Sequence, residues 1–205
     1  MQYIAAGSFY SLAIVDNGTM YAWGEARMGQ LGFGKQQIVR LPTKVNFPPD
    51  DNGQTVRIKA CSAGFGHTTA LTDNGELYTW GFNIYGQTGH GDTKTKWFPE
   101  RVTHDIEGNE LPQFSKVACS KFATYALDTA GKPYSWGSGY IGHGGKSCVK
   151  APKMIVQPST KQSTGTDNRI FTDIYASSDG CLFYAPIRVY EIYPKCGPSK
   201  GNTVI

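Results

Sequence analysis

The sequence predicts an all-β fold, a partial β-propeller of about three to three and a half blades. The chain repeats one pattern three times, at offsets of 57 and 56 residues, and such a period suits a propeller blade. Each copy contains a strand–turn–strand signal. The composition, with Gly 25, Tyr 12 and Phe 10, favours strands joined by tight turns.

Length, composition and charge exclude several classes of protein. The chain has 205 residues, of which 40% are hydrophobic and 18% charged, values that argue against a disordered chain and a charged helical rod. The net charge is +4 without a block of basic residues, so nothing points to nucleic acid. No apolar run is long enough for a membrane span, and the first residues lack the features of a signal peptide.

The three copies align over long stretches. Residues 62–91 match residues 5–34 without a gap, and residues 118–145 form a third copy that lacks three residues after its tryptophan. The shared positions are Gly7 and Gly64; Gly18, Gly75 and Gly131; Trp23, Trp80 and Trp136; and Gln30 and Gln87. A fourth copy begins at residues 174–185 and then fails, because Arg188 and Tyr193 stand where glycine and tryptophan are due.

Each copy predicts a hairpin at its central glycine. Apolar and polar residues alternate on both sides of Asn74-Gly75, Asn17-Gly18 repeats the signal, and the third copy keeps only Gly131. The Asn-Gly pair predicts a type I′ turn, which needs positive φ at both central residues. The flanking segments predict further short strands, so that each copy holds about four, as a propeller blade does.

The repeat resembles that of the regulator of chromosome condensation (RCC1) family. The second copy gives the fullest match, through Gly64, His67, Ala70, Leu71, Gly75, Tyr78, Trp80, Gly81, Asn83, Gly86, Gln87, Gly89 and Gly91. The first copy has Tyr10 in place of the histidine, and the third has Ala123 there and Ser120 in place of Gly64. The resemblance covers roughly residues 3 to 185 and implies an RCC1-type propeller, a fold that seven such repeats close in that family.

The C-terminal residues are similar to the opening of an IPT/TIG domain, an immunoglobulin-like sandwich. The match consists of Ile192, Pro194, Gly197, Pro198, Gly201, Thr203 and Ile205. We therefore divide the chain into RCC1-like repeats at 1–57, 58–116 and 117–173, a degenerate partial repeat at 174–187 and the start of an IPT/TIG-like domain at 188–205. Because both ends fall inside a unit, we expect a piece of a larger polypeptide, or a chain held in place by neighbours.

Two glycine-rich features suggest ligand sites but favour structural roles. Residues 137–142, GSGYIG, match the dinucleotide motif GxGxxG, which also requires a following helix and an acidic residue ~20 positions on. The next residues provide neither, so we interpret the stretch as a turn. His90 and His143 stand in Gly-His-Gly, a possible metal-ligand context, but Phe33 at the same position of the first copy indicates packing.

The other candidate residues also favour structural roles. We interpret His67 as a loop or strand-edge hydrogen bonder, and His104 stands alone in a variable loop. Cys61 and Cys119 align with small or apolar residues of the other copies, which indicates core positions and not activated nucleophiles. The scattered set of five cysteines, without a CxxC pair, indicates reduced thiols inside the cell: Cys61, Cys119, Cys148, Cys181 and Cys196.

The recurring tryptophans predict core packing in preference to stacking on a ligand. We expect binding to reside in the variable stretches 35–56, 103–115 and 157–170, because loops on a rigid repeat scaffold carry recognition. No catalytic residue, cofactor or metal site is predicted.

These observations favour a non-enzymatic protein–protein interaction module of a larger intracellular scaffold, in the cytoplasm or on the cytoskeleton. RCC1-like repeats joined to an IPT-like domain resemble large protist proteins, some of them cytoskeletal or ciliary. The alternative that the resemblance implies is a guanine-nucleotide exchange factor for a Ran-type small GTPase, associated with chromatin in the nucleus. No loop of this sequence matches the wedge that inserts into such a GTPase. Membrane and nucleic-acid partners are not expected.

Overall fold

The computed structural model describes residues 3–156, 170–178 and 180–185. Within these ranges the chain forms fourteen strands in four antiparallel sheets, and no helix. The all-β prediction is confirmed. In the same ranges, no helix is long and apolar enough to span a membrane.

Each of the three full repeats forms one four-stranded blade whose strands pair in chain order. The first blade contains β1 (Tyr3–Ala6), β2 (Tyr10–Ile14), β3 (Met20–Glu25) and β4 (Ile38–Lys44). The second contains β5 (Ile58–Ala63), β6 (His67–Thr72), β7 (Leu77–Gly81) and β8 (Lys96–Val102). The third contains β9 (Phe114–Cys119), β10 (Ala123–Asp128), β11 (Pro133–Gly139) and β12 (Ser147–Met154), so it begins before the predicted boundary at residue 117.

A two-stranded sheet follows the third blade. It pairs β13 (Asp173–Ala176) with β14 (Cys181–Tyr184), which corresponds to the first half of a fourth blade. Ile174 and Phe183 pack in one apolar cluster with Tyr125 and Ile141 of the third blade. The predicted IPT/TIG-like segment, residues 188–205, lies outside the described residues.

The predicted hairpins are confirmed, but the predicted turn type is wrong. Described residues with positive φ are all glycines, so Asn17 and Asn74 do not adopt the left-handed conformation that a type I′ turn requires. Instead, Gly75 N donates to Thr72 O, and Thr72 N donates to Glu76 O. This is a three-residue loop in which only the glycine needs positive φ. The same bonds recur at Gly131, which explains why the third copy keeps the glycine without the asparagine.

The middle strands are buried on both faces because neighbouring blades cover both sides of each sheet. All six residues of β6 and all six of β10 are buried, including the threonines. In the first blade, the first four residues of β3 alternate between buried and half-buried, and the last two are half-buried. Trp80 and Trp136 are fully buried, as predicted, whereas Trp23 is only half-buried.

In each of the first two blades, the backbone carbonyl of a glutamine accepts two side-chain hydrogen bonds from the next blade. Gln30 O accepts hydrogen bonds from Trp80 Nε1 at 2.9 Å and from Thr68 Oγ1 at 2.7 Å. The sequence pattern contained the tryptophan and the glutamine, but only the fold shows that they meet across a blade boundary. We call the set of Gln30, Thr68 and Trp80 the first interblade junction.

The second interblade junction repeats this geometry one blade further on. Gln87 O accepts from Trp136 Nε1 at 2.9 Å and from Thr124 Oγ1 at 2.8 Å. In both junctions the glutamine side chain folds back, so that Oε1 accepts a backbone N–H two residues earlier, from Met28 or Tyr85. This bond holds the loop in the conformation that presents the carbonyl.

In the first two blades, the residue at the start of the second strand extends the junction. Tyr10 Oη donates to His67 O, and His67 Nε2 lies 3.0 Å from Thr124 Oγ1 of the next blade. His67 is therefore a hydrogen bonder at the first residue of β6, in agreement with the prediction, but it is fully buried and its side-chain partner belongs to the next blade. A side chain of this size requires glycine at position 64, where an added Cβ would overlap the imidazole. The third copy has changed both positions together, to Ser120 and Ala123.

Trp80→Ala should lower the free energy of unfolding by roughly 3–5 kcal/mol, because it removes a large buried side chain and one interblade hydrogen bond. Urea denaturation of the purified chain measures this. Trp23→Ala is the matched control: its side chain is half-buried, so the same substitution should cost clearly less. Equal losses at the two sites would contradict the junction.

His67 should make stability depend on pH. Burial lowers the pKa of His67 to about 4, from an ordinary 6.5. Between these values the unfolded chain binds a proton that the folded chain does not. The free energy of unfolding therefore does not depend on His67 protonation above about pH 6.5. As the pH falls below about 6.5, the free energy of unfolding decreases, by up to about 3 kcal/mol near pH 4.

The control is His67→Tyr, since tyrosine occupies the same position in the first blade as Tyr10, beneath Gly7. Unfolding free energies of both proteins, measured from neutral to acidic pH, should diverge below about pH 6.5, with the wild type losing more stability. Parallel curves would contradict a neutral His67 in the folded state.

Candidate protein-interaction surface

The strand order divides the loops between two faces of the molecule. In an antiparallel sheet paired in chain order, the first and third connections lie at one end of the strands, and the second lies at the other end. The turn face therefore contains the loops β1–β2, β3–β4 and their equivalents in the later blades. The hairpin face contains the β2–β3 hairpins and the connections between blades.

Four aromatic rings and one lysine form a patch on the turn face. Phe122 lies 5.6 Å from Phe65, 6.3 Å from Phe82 and 5.1 Å from Tyr85, measured between ring centroids. Lys121 Nζ lies 5.2 Å from the centroid of Phe122 and 5.8 Å from that of Phe65. We call these five residues the aromatic patch. The four rings are half-buried and Lys121 is exposed, so the patch presents both aromatic carbon and a positive charge to solvent.

Backbone hydrogen bonds between neighbouring loops fix the patch in place. Phe82 N donates to Gly66 O at 2.8 Å, which joins two loops of the second blade. Phe65 N donates to Lys121 O at 3.2 Å, and Lys121 N donates to Ser178 O at 3.0 Å, so the turns of three successive sheets are joined in a row. The backbones that carry the rings are therefore fixed before any partner binds, which lowers the ordering cost of binding.

A shallow recess borders the patch. It has a volume of about 580 Å³ and lies between the first turns of successive sheets. Its lining includes Phe9, Phe65 and Lys121 together with Ser8 and Ser177. Phe9 is 63% exposed, so apolar surface continues from the patch into the recess. Ile84, on the same loop as Phe82 and Tyr85, and Tyr140, on the corresponding loop of the third blade, are also exposed.

The blade fold does not require the aromatic residues of the patch. Ser8 and Lys121 occupy the position of Phe65 in the first and third blades, while Glu25 and Ser138 occupy that of Phe82. The equivalence is structural, because Glu25 N, Phe82 N and Ser138 N all donate to the carbonyl of the neighbouring turn. Tyr85 corresponds to Met28. These rings thus differ from Trp80, which recurs in every copy.

The histidines of the two Gly-His-Gly sequences have structural partners. Thr79 Oγ1 lies 3.0 Å from His90 Nε2, and Ser135 Oγ lies 3.0 Å from His143 Nε2. Burial lowers the pKa of both histidines. In the first blade the pair is replaced by Ala22 and Phe33, so a polar pair has been exchanged for an apolar one. The packing interpretation is confirmed, with a hydrogen bond that the sequence did not reveal.

The remaining predicted candidates also lie in structural positions. Cys61 and Cys119 are buried, and burial raises the pKa of Cys119 to about 11, so its thiol is not activated as a nucleophile. Residues 137–139 belong to β11 and residues 140–142 follow it without a helix, so the turn interpretation holds for the second half of the stretch only. Within the described ranges, no group of three or more His, Cys, Asp or Glu residues could hold a metal ion.

The variable loops lie mainly on the hairpin face, away from the patch. Residues 45–57 and 103–113 connect successive blades there, and Arg101 joins this region through Asp51 at 2.8 Å and Glu76 at 3.0 Å. His104 is exposed and lies 2.8 Å from Thr103 Oγ1. Residues 157–169 of the third variable stretch are outside the described residues. The sequence analysis did not predict the patch. Its aromatic residues are replaced by other residue types in the aligned copies, and this difference could have indicated a role outside the blade core.

The four-stranded blades, their chain-order pairing and the interblade junctions define a repeat protein of the β-propeller class. Two sequence profiles described as the Regulator of chromosome condensation (RCC1) repeat match this chain, one at residues 17–71 and 74–127, the other at 2–30 and 58–87. The chain belongs to the RCC1 repeat family.

Curated relatives share sequence with most of this chain, which in turn spans only a small part of them. The human E3 ubiquitin-protein ligase HERC2 is 33% identical over 183 residues, which are 88% of this chain and 4% of HERC2. The Ultraviolet-B receptor UVR8 of Arabidopsis thaliana is 37% identical over 144 residues, 69% of this chain and 31% of UVR8.

Solved structures show the same fold. Human WBSCR16 superimposes with a TM-score of 0.71 at 23% identity, covering 86% of this chain and 43% of WBSCR16. Prp20p from Saccharomyces cerevisiae superimposes with a TM-score of 0.68 at 23% identity, covering 87% of this chain and 42% of Prp20p. The chain therefore matches about two-fifths of each of these propellers.

The patch should contribute little to stability. Phe65→Ser, Phe82→Ser and Tyr85→Met replace each ring by a residue that another copy carries at the same position. Together they should cost no more than about 2 kcal/mol, well below the loss expected for Trp80→Ala. Urea denaturation of the triple variant tests this, and a loss as large as that of Trp80→Ala would show that the rings are core residues.

Proposed function

We propose that this chain is a non-catalytic protein-interaction module of a larger intracellular scaffold, and that it binds its partner through the aromatic patch. The main support is a contrast between aromatic residues that every complete copy of the repeat shares and aromatic residues found in one copy only. Trp80 and Trp136 hold blades together, whereas Phe65, Phe82 and Tyr85 cluster at the surface without a role that the blade requires. Aromatic side chains that stay partly exposed in a rigid cluster are typical of protein interfaces.

The relatives give further support. Prp20p has been described with its binding properties to Gsp1p and histones, and yeast RCC1 (Prp20) has been solved with Kap60 bound to it. In both cases an RCC1 propeller takes a protein partner. The four cysteines in the described part of the chain are unpaired, which supports a reducing, intracellular location.

Affinity capture with matched baits tests the proposal. The wild-type chain and the triple variant Phe65→Ser, Phe82→Ser, Tyr85→Met are immobilised and exposed to lysate of the cells that make the protein, and retained proteins are quantified by mass spectrometry. At least one protein should be retained by the wild type and lost with the triple variant. Identical retention by the two folded baits would contradict binding through the patch.

A nucleotide-release assay tests the alternative, exchange activity on a Ran-type GTPase. Our proposal predicts that the chain leaves the rate of labelled GDP release from the GTPase unchanged. Clear acceleration would favour the exchange-factor function and overturn the non-catalytic one.

A further inference from the structure

We propose that the aromatic patch recognises an acidic segment of a partner protein, in which two or more carboxylates flank an apolar side chain. This inference rests on the protein-interaction function proposed above and specifies the chemistry of the partner.

The two faces of the molecule carry opposite charge. Among described residues in the turn-face loops, five are basic and one is acidic: Arg27, Lys35, Lys94, Lys121 and Lys146 against Asp92. Glu25, at the turn end of β3, adds a second carboxylate, which is ion-paired with Arg27. Among those in the hairpin-face loops, eight are acidic and two are basic: Asp16, Asp50, Asp51, Asp73, Glu76, Asp105, Glu107 and Glu110 against Arg57 and Lys132. An acidic segment is therefore attracted to the turn face and repelled from the hairpin face.

Two aspartates of the hairpin face stabilise the turns in which they lie. Asp105 Oδ1 accepts backbone hydrogen bonds from Glu107 and Asn109, and Asp50 Oδ1 accepts them from Asn52 and Gln54. Such bonds stabilise turns. On the turn face, Arg27 is ion-paired with Glu25. Lys121 takes the position held by Ser8 and Phe65 in the other copies. The lysine is thus not a requirement of the turn.

Lys121 places a positive charge where an apolar side chain would also be bound. Its Nζ lies over the rings of Phe65 and Phe122, and its backbone is fixed between Phe65 and Ser178. A carboxylate that binds this ammonium group therefore brings the neighbouring residue of the same segment onto the rings or into the recess beside Phe9. The geometry matches a segment with alternating acidic and apolar side chains.

Fluorescence anisotropy with the full 205-residue chain tests the partner chemistry. The probe is a fluorescein-labelled peptide in which Asp and Glu residues flank a Leu-Phe pair. Two matched probes carry Lys in place of the acidic residues, or Ser in place of Leu-Phe. The acidic–apolar probe should bind on the order of tenfold more tightly than either matched probe, and high salt should weaken its binding.

Single substitutions locate the site. Lys121→Glu and Phe65→Ser should each raise the dissociation constant of the acidic–apolar probe on the order of tenfold. Lys132→Glu is the matched control, because it makes the same charge change on an exposed lysine of the hairpin face, and it should leave binding unchanged. Melting temperatures confirm that each variant is folded.

Equal binding of the acidic and basic probes would overturn the inference, as would wild-type affinity in folded Lys121→Glu. Failure of the acidic–apolar probe to bind would also overturn it. The proposed interaction function would nevertheless stand if the wild type retained proteins in the affinity capture that the triple variant did not retain. Weaker binding of the acidic–apolar probe to Lys121→Glu, with unchanged binding to Lys132→Glu, supports the inference.

Discussion

The backbone carbonyl of one glutamine in each of the first two blades is the interaction on which the described structure depends. Gln30 O and Gln87 O each accept two hydrogen bonds from the following blade, one from a tryptophan indole and one from a threonine hydroxyl. Each carbonyl is buried in the boundary between two sheets, where an unpaired polar group would be costly. The tryptophan contributes most through its buried surface, while the hydrogen bond fixes how the sheets pack against each other.

This junction explains which parts of the repeat can vary. Glycine is required where the loop needs positive φ or where a neighbouring side chain occupies the space of a Cβ, as Gly64 shows beside His67. Where the neighbour shrinks, as at Ala123, the glycine is replaced by Ser120. The Thr79–His90 pair and its counterpart, Ala22 with Phe33, show the same coupling. At these two sites inside the blade, a substitution is therefore accompanied by a substitution of the residue that it contacts.

The turn face behaves differently, because its side chains vary without such pairing. Phe65, Phe82 and Lys121 stand on loops whose backbones are hydrogen-bonded to one another, while the side chains remain accessible. A fixed backbone that carries variable side chains lets a repeat protein acquire a binding surface without altering its core. Because the loops of the two faces come from different segments of each repeat, basic residues can collect in the turn-face loops and acidic residues in the hairpin-face loops.

The sequence alone determined the all-β fold, the number of complete blades, the hairpins and the burial of Trp80 and Trp136, because these follow from local patterns that each copy repeats. It did not determine the turn type, since Asn-Gly is compatible with more than one hairpin loop and only the pairing across the strands selects one. It indicated that His67 forms hydrogen bonds, but not that His67 is buried or that its partner lies in the next blade. The aromatic patch brings together Phe65, Phe82, Tyr85 and Phe122 from two blades, and that proximity arises only when the blades pack side by side.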